Sequence, residues 1–417
     1  MLHVNITKIT LREQIVKKAL CVGAGFAGAV VARELAEAGW EVLVIDKRSH
    51  VAGNAYDYVN SAGIRVHKYG PHLWHGNSDM AQDWISRFTE WVPYKHWVHA
   101  QLLDGRHVPL PINNSTIHAV FQKELTENHG PMYTDEHITN LMNRKRINHS
   151  DITNSRQLVE ASVGKEMCEL FFAPYSKKMW GMDLSDLPAS VAGRIPMKND
   201  YDPYYFPKDK YQYLPANGYT ELFKKIFDHK NITVSLSTRR EDLPQYNKDN
   251  GFVKTIRYWE DVKFDAVFSS EPIDAYYDCD WGELPWRSIK FKTVTLPIPH
   301  MLSAPVVNFT HDGQYTRVTE WKQLPAHGSN AYATTVTFEE PCDYKLNDMQ
   351  RYYPVKTSHV VDPNRELYKK YRERSQKDGI HFIGRCGCYV YQDMQPCVNS
   401  TLTYVRKFLN GESTPEE

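Results

Sequence analysis

The sequence predicts an α/β protein: a Rossmann-like dinucleotide-binding domain with an inserted helical domain and an antiparallel β-sheet domain. Three observations predict it. A short apolar run, Ala19–Val22, ends in Gly23-Ala24-Gly25-Phe26-Ala27-Gly28. A helical pattern follows, with Val30, Val31, Leu35 and Ala38 apolar, Arg33, Glu34 and Glu37 polar, and Gly39 closing it. Glu41–Asp46 then reads as a buried strand that ends in an acid, which completes a β-α-β unit.

Each glycine of this motif has a physical task. The first permits the tight turn, the second lets the backbone approach a pyrophosphate, and the third lets helix and strand pack closely. The helix N-terminus offers open N–H groups and a positive dipole end to phosphate. Asp46 is placed to accept from a ribose hydroxyl. The motif alone does not separate FAD from NAD. Two features favour FAD: a second glycine turn, Val51–Tyr56, just past the acid, and a late Gly384-Arg385-Cys386-Gly387 suited to a returning contact on a long cofactor. The candidate cofactor contacts near the start are Gly23, Gly25, Phe26, Ala27, Asp46, Lys47 and Asn54.

After this unit Trp, Tyr, Pro and His become dense from Tyr56 to Trp97. Residues 115–190 have helical spacing with few glycines, as in Arg156–Cys168, where Leu158, Val159, Val163 and Met167 share a face. Asp200–Pro215 is aromatic and proline-rich, the profile of an irregular binding loop. Ile232–Leu236, Ala266–Ser269, Ala304–Phe309, Ala331–Phe338 and His381–Arg385 read as strands, and Met394–Leu409 as a helix. The expected division is a discontinuous Rossmann-like domain (19–85, 215–280, 375–417), a helical insert (115–190) and a sheet or substrate domain (86–114, 191–214, 281–374). Residues 1–18 read as an N-terminal extension.

Composition narrows the function. Fifty Lys plus Arg balance fifty Asp plus Glu in 417 residues, which removes the generic electrostatic case for nucleic-acid or anionic-membrane binding. Mean hydropathy is −0.56, and no apolar run reaches the roughly 18 residues of a membrane helix. Twenty-six Tyr and ten Trp hint at a polar, flat or sugar-like ligand. Seven cysteines without a signal-peptide h-region are no disulfide scaffold, and a reducing cytoplasm is the expected compartment. Cys386, Cys388 and Cys397 lack the CxxC spacing of a metal or redox site and read as buried or bystander thiols.

The chain resembles the UDP-galactopyranose mutase family through motifs that run in order over roughly residues 20–410. They are Val22–Gly28 with Gly53-Asn54-Ala55-Tyr56-Asp57, Tyr69-Gly70-Pro71-His72-Leu73-Trp74-His75, Pro109–Asn113, Phe171–Gly181, Pro188-Ala189-Ser190 with Arg194, Gly218-Tyr219-Thr220, Tyr315–Glu320, Tyr352-Tyr353-Pro354, and Gly384-Arg385 through Tyr391–Met394. There are departures. Ala52 replaces the first glycine of the family's GGNAY, Trp74 replaces Phe in YGPHxFH, Ser176 replaces Thr, and Met179 replaces Gln.

The resemblance implies ring contraction of a nucleotide-linked hexose. UDP-galactopyranose and UDP-galactofuranose, or a relative such as the N-acetylgalactosamine form, interconvert to supply surface glycans. N5 of reduced FAD is the implied nucleophile on the anomeric carbon, with no net redox. A redox flavoenzyme of the amine-oxidase type shares the N-terminal signature and is the competing reading. By resemblance Arg194, on a closing loop, and Arg317 hold the diphosphate, a task that suits a permanently charged fork. Tyr175, Tyr205, Tyr353 and Tyr391 hydrogen-bond the phosphates without adding charge. Phe171, Phe172, Tyr175 and Trp180 read either as a helix core face or as a uracil shelf, with Ser176 beside them. Asn113 is implied at the sugar end. His72 and His75 border the flavin; a metal at this pair, with His67 as a third ligand, would lack a completing carboxylate or Cys, so no metal is expected. Arg385 is implied near the pyrimidine part of the flavin, where it would stabilise the reduced anion. Asp393 reads as a helix cap or a ribityl contact. The expected partner is a UDP-sugar, with neither nucleic acid nor membrane insertion, in a homodimer or larger homo-oligomer.

Overall fold

The computed structural model describes residues 16–193, 197–243, 252–253, 262–355 and 362–412. Most of the expected extension (1–15) and Arg194 lie outside the described residues.

Strand β1 (Lys18–Val22), helix α1 (Phe26–Glu37) and strand β2 (Glu41–Asp46) form at the predicted places. β1 is central in a five-stranded parallel sheet ordered Ile232–Leu236, β2, β1, Ala266–Ser269, Ile380–Phe382. Its side chains alternate between two cores, so the run is apolar throughout. Ala19 and Cys21 join the cluster beneath α1. Leu20 and Val22 join Ile273, Tyr371 and Phe382 on the other face. The chain order reverses beside β1, the switch point where such sheets bind ligands. Val30, Val31 and Leu35 of α1 are fully buried, and α1 packs on helix Met394–Leu409 and helix Gly218–Phe227.

The second sheet has seven strands, in the order Tyr353–Pro354, Trp286–Leu296, Thr334–Asp343, Arg317–Glu320, Val306–Phe309, Val98–Gln101, His107–Leu110. It is antiparallel apart from the pair Val306–Phe309 with Val98–Gln101. The strand expected over Ala331–Phe338 instead begins at Thr334 and runs to Asp343. The Asn330 side chain accepts from the Tyr332 and Ala333 amides, and that turn delays the strand. The strand expected over His381–Arg385 stops at Phe382, and Gly384–Gly387 is a helical turn.

Helices Asn114–His129, Asp135–Lys145, Ser155–Met167 and Ala173–Trp180 share a core that includes Ile117, Phe121, Leu141, Val159 and Met167. Gly164 (φ +81°) interrupts the third helix; a Cβ there would lie 2.4 Å from the Lys145 carbonyl oxygen. A π-helical turn, Cys168–Phe172, then swings the chain into the fourth. A small antiparallel sheet, Trp74–Gly76, Tyr211–Pro215, Trp91–Pro93, carries His75. No helix of the described residues is long and apolar enough to cross a membrane.

Candidate active site

A cavity of about 290 Å³ brings together residues from positions 69 to 394. Helix Ala173–Trp180 supplies Tyr175, Ser176 and Trp180 to its wall, and the preceding π-turn supplies Phe171 and Phe172. Pro174 starts this helix, and Gly181, in the left-handed region, ends it. Arg287 caps its C-terminal end by donating to the Lys178 and Met179 carbonyls. The Lys178 ammonium donates to the carbonyls of Phe309, His311 and Tyr315, at 2.8, 2.6 and 2.9 Å. Burial lowers its pKa to about 8, so it remains charged at neutral pH.

Arg317 enters from the seven-stranded sheet, in register with Glu339. Its Nε lies 2.8 Å from Glu339 Oε2, and Glu339 is 1 % exposed. Burial opposes charge on Arg317, but the Glu339 carboxylate more than offsets it and holds the guanidinium protonated. Glu339 Oε1 is buried without a hydrogen-bond partner. Around the guanidinium stand phenols. Tyr353 and Tyr391 stack with centroids 5.6 Å apart, and Trp180 lies 6.4 Å from each. Burial, then Tyr391, pushes Tyr353 up to about 12, and burial raises Tyr175 above its ordinary value, so both are neutral donors. Tyr205 lines the same cavity.

His72, His75, Arg385 and Asp393 form another part of the wall. The Arg385 guanidinium donates to the Gln392 carbonyl and sits 5.5 and 5.1 Å from the rings of Tyr353 and Tyr391. Asp393 occupies the N-cap position of Met394–Leu409, yet its side chain makes no capping bond. Burial lowers His72 to about 4, and its Nδ1 donates to the Gly70 carbonyl. A buried histidine pair braces His72 from behind. His327 Nδ1 donates to the Pro325 carbonyl, so its Nε2 accepts from His67 Nε2, and His67 Nδ1 accepts the His72 backbone N–H.

The remaining candidates lie elsewhere. Asn113 does not line the cavity. It is 1 % exposed, caps helix Asn114–His129 by accepting from the Thr116 amide, and donates to the Asp202 carbonyl. Asp46 ends β2 with its oxygens accepting from the Ala24 and Arg48 amides. Asn54 accepts from the Arg48 guanidinium. The Phe26 ring is buried against Phe223, which leaves its backbone for a ligand. Burial lowers the Lys47 pKa beside Asp46 and Glu271. Among the wall residues that sequence reasoning did not single out as site residues are Tyr69, His96, Phe206 and Glu339. Glu339 carries a faint signal, as the first acid after the apolar and Thr-rich run Thr334–Phe338, with Glu340 beside it.

The turn before α1 suits a dinucleotide. Gly25 is its N-cap without a side-chain bond, and the first turn holds no acid. A Cβ on Gly28 would fall 1.9 Å from the Gly23 carbonyl oxygen, whereas one on Gly25 would meet only Gly53 Cα, at 3.6 Å. Gly28 is therefore required by packing, and the space above Gly25 is left to a ligand. A Cβ on Gly384 would come within 2.7 Å of the Ala27 Cβ, so the turn bearing Arg385 abuts the first turn of α1. The glycine turn and the cavity are thus neighbours, an arrangement that suits an extended cofactor. Among the described residues no group of three or more His, Cys, Asp or Glu is placed to hold a metal ion.

Comparison with known proteins accords with this geometry. The family described as UDP-galactopyranose mutase matches residues 170–391, and an NAD(P)-binding Rossmann-like domain matches residues 21–88. A probable UDP-galactopyranose mutase of Klebsiella pneumoniae is 32 % identical over 96 % of this chain and 97 % of its own length. A dTDP-fucopyranose mutase of Escherichia coli is 31 % identical over 94 % and 99 %. The crystal structure of a reduced UDP-galactopyranose mutase superposes with a TM-score of 0.70 at 15 % identity, covering 95 % of this chain and 94 % of that one. A putrescine oxidase structure has the same fold with a TM-score of 0.53 at 14 % identity, covering 95 % of this chain and all of its own. The fold is therefore common to enzymes of different chemistry, and the family is decided by sequence over nearly the whole chain: this protein is an enzyme of the UDP-galactopyranose mutase family.

Proposed function

We propose that the enzyme interconverts the pyranose and furanose forms of UDP-galactose, or of a close nucleotide-hexose relative, with FAD as cofactor and a product destined for surface glycans. The observation that carries this reading is one cationic fork, Arg317, ringed by neutral phenols in a cavity that adjoins a dinucleotide turn. When bound, reduced FAD supplies a nucleophilic nitrogen, N5, for the anomeric carbon with no net redox.

The chain's own residues do the rest. The open N–H groups at the start of α1 take the cofactor's phosphates. Arg385, fixed by the Gln392 carbonyl, adds a positive charge on the cavity side of that turn. Arg317 and the hydroxyls of Tyr175, Tyr205, Tyr353 and Tyr391 hold the substrate diphosphate and keep hold of it while it is a leaving group. Arg194, from outside the described residues, is the second cation proposed for this task. Phe171, Phe172 and Trp180 give a planar base an apolar shelf. The relative that acts on dTDP-fucopyranose is as similar as the UDP-galactopyranose one, so the base and the sugar's C6 substituent are open choices within the same chemistry.

The test is a panel of pyranose and furanose nucleotide sugars, UDP- and dTDP-linked, assayed by chromatography with the flavin-loaded enzyme. Ring isomerisation is expected only after reduction with dithionite. Equal turnover by the oxidised enzyme would overturn the role of reduced flavin. Flavin left reduced in proportion to substrate consumed would favour the redox reading.

A further inference from the structure

His75 is held in the cavity wall by two contacts from one loop. Its ring stacks on Phe206, with centroids 3.7 Å apart and planes 10° from parallel. Its Nδ1 lies 2.7 Å from Asp209 Oδ2. The stack fixes the plane of the ring, and the hydrogen bond fixes its rotation within that plane. The loop is itself braced. The Gln212 side-chain amide donates to the Phe206 and Asp209 carbonyls, and Gln212 stands opposite His75 in the small sheet. The Asn77 amide donates to the other oxygen, Asp209 Oδ1. The side chains of His75 and Asp209 are 17 % and 21 % exposed, so the pair is largely withdrawn from water.

We propose that Asp209 is a positioning residue that sets the tautomer of His75. An ionised carboxylate has no proton to give, so Nδ1 must carry it. Nε2 is then the nitrogen left for a ligand, and in the neutral ring it is an acceptor. Ring contraction exchanges which sugar oxygen closes the ring, so a hydroxyl must be held by an acceptor as it changes role. His75 Nε2 is that acceptor. This rests on the mutase reading above, but the tautomer claim is testable without turnover.

The decisive variant is Asp209→Asn, which keeps shape and removes the compulsion. If the Asn77 bond is kept, the new amide nitrogen faces Nδ1, which must then accept, and the proton moves to Nε2. In flavin-loaded protein labelled with [15N]histidine, with the His75 signal identified by its loss in His75→Gln, wild type should give the pattern of a ring protonated on Nδ1. Asp209→Asn and Asp209→Leu should lose it. With reduced enzyme, kcat should fall by about 10- to 100-fold with KM within about threefold, the size expected for an orienting partner. Asp209→Leu guards against an Asn variant that misfolds. A wild-type ring protonated on Nε2, or an unchanged ring pattern in both variants, would overturn the proposal. A wild type with the Nδ1 pattern that isomerises no sugar on the panel would sink the functional reading and leave the tautomer assignment standing.

Discussion

Gly25 and Gly28 lie three residues apart, and the structure assigns them opposite kinds of constraint. A methyl on Gly28 collides with backbone, the Gly23 carbonyl, at 1.9 Å, and neither β1 nor α1 can yield without opening the core between them. A methyl on Gly25 meets nothing closer than 3.6 Å, at φ −86°, where an alanine is unstrained. Gly28→Ala is therefore expected to lower stability by about 2 kcal/mol or more, as overpacking does. Gly25→Ala should leave the melting temperature of the flavin-free protein within a few degrees yet weaken flavin retention at least tenfold. Calorimetry and flavin titration of both variants separate the two. Ala52 is a third case: it sits at φ +73°, where the family uses glycine. Relief of left-handed strain by glycine would be offset by lost burial of a methyl and greater freedom of the unfolded chain. The departure is thus nearly neutral.

Helix Ala173–Trp180 owes its place to Lys178 and Arg287, which act on its C-terminal half from opposite directions. Lys178 ties the helix to the loop that leads into Arg317, and Arg287 ties the helix end to the long hairpin. Lys178→Met keeps length and loses all three donors, leaving three carbonyls short of a partner. A loss on the order of 3 kcal/mol in urea unfolding is expected, together with weaker UDP binding because Tyr175 and Arg317 lose their common support. Coincident unfolding curves would contradict this. The same helix marks what could be read from the sequence. Its aromatic and lysine motif was legible, as was the glycine turn before α1, because each depends on neighbours a few residues away. Lys178 serving carbonyls more than 130 positions away was not, nor was Glu339, whose partner is set by strand register. Asn113, grouped with the site by its motif, has a structural task that the motif did not show: it caps helix Asn114–His129.

Across the whole molecule, buried histidines set a limit on acid tolerance. Burial lowers His72, His327 and His381 to about 4 and His96 to about 3. The unfolded chain takes up these protons near pH 6.5, before the folded one does. Between about pH 6.5 and 4 the unfolded state thus binds more protons, and stability falls as pH falls, by up to about 1.4 kcal/mol per pH unit for each such histidine. Urea midpoints measured from pH 7.5 to 4.5 should decline steeply below 6.5, and a flat profile would show that these rings are not neutral in the folded state.

The parallel sheet ends on its latest strand, Ile380–Phe382, and the turn that follows carries Arg385 onto the first turn of α1. More than three hundred and fifty residues of chain separate Gly28 from the Gly384 turn that packs beside it. A nascent chain that has made the first turn has no neighbour for it until the second has also been made. Closure of this corner is consequently a late event of folding, and deleting Ile380–Gly387 would strip the sheet of its edge strand and leave the first turn of α1 uncovered on that side.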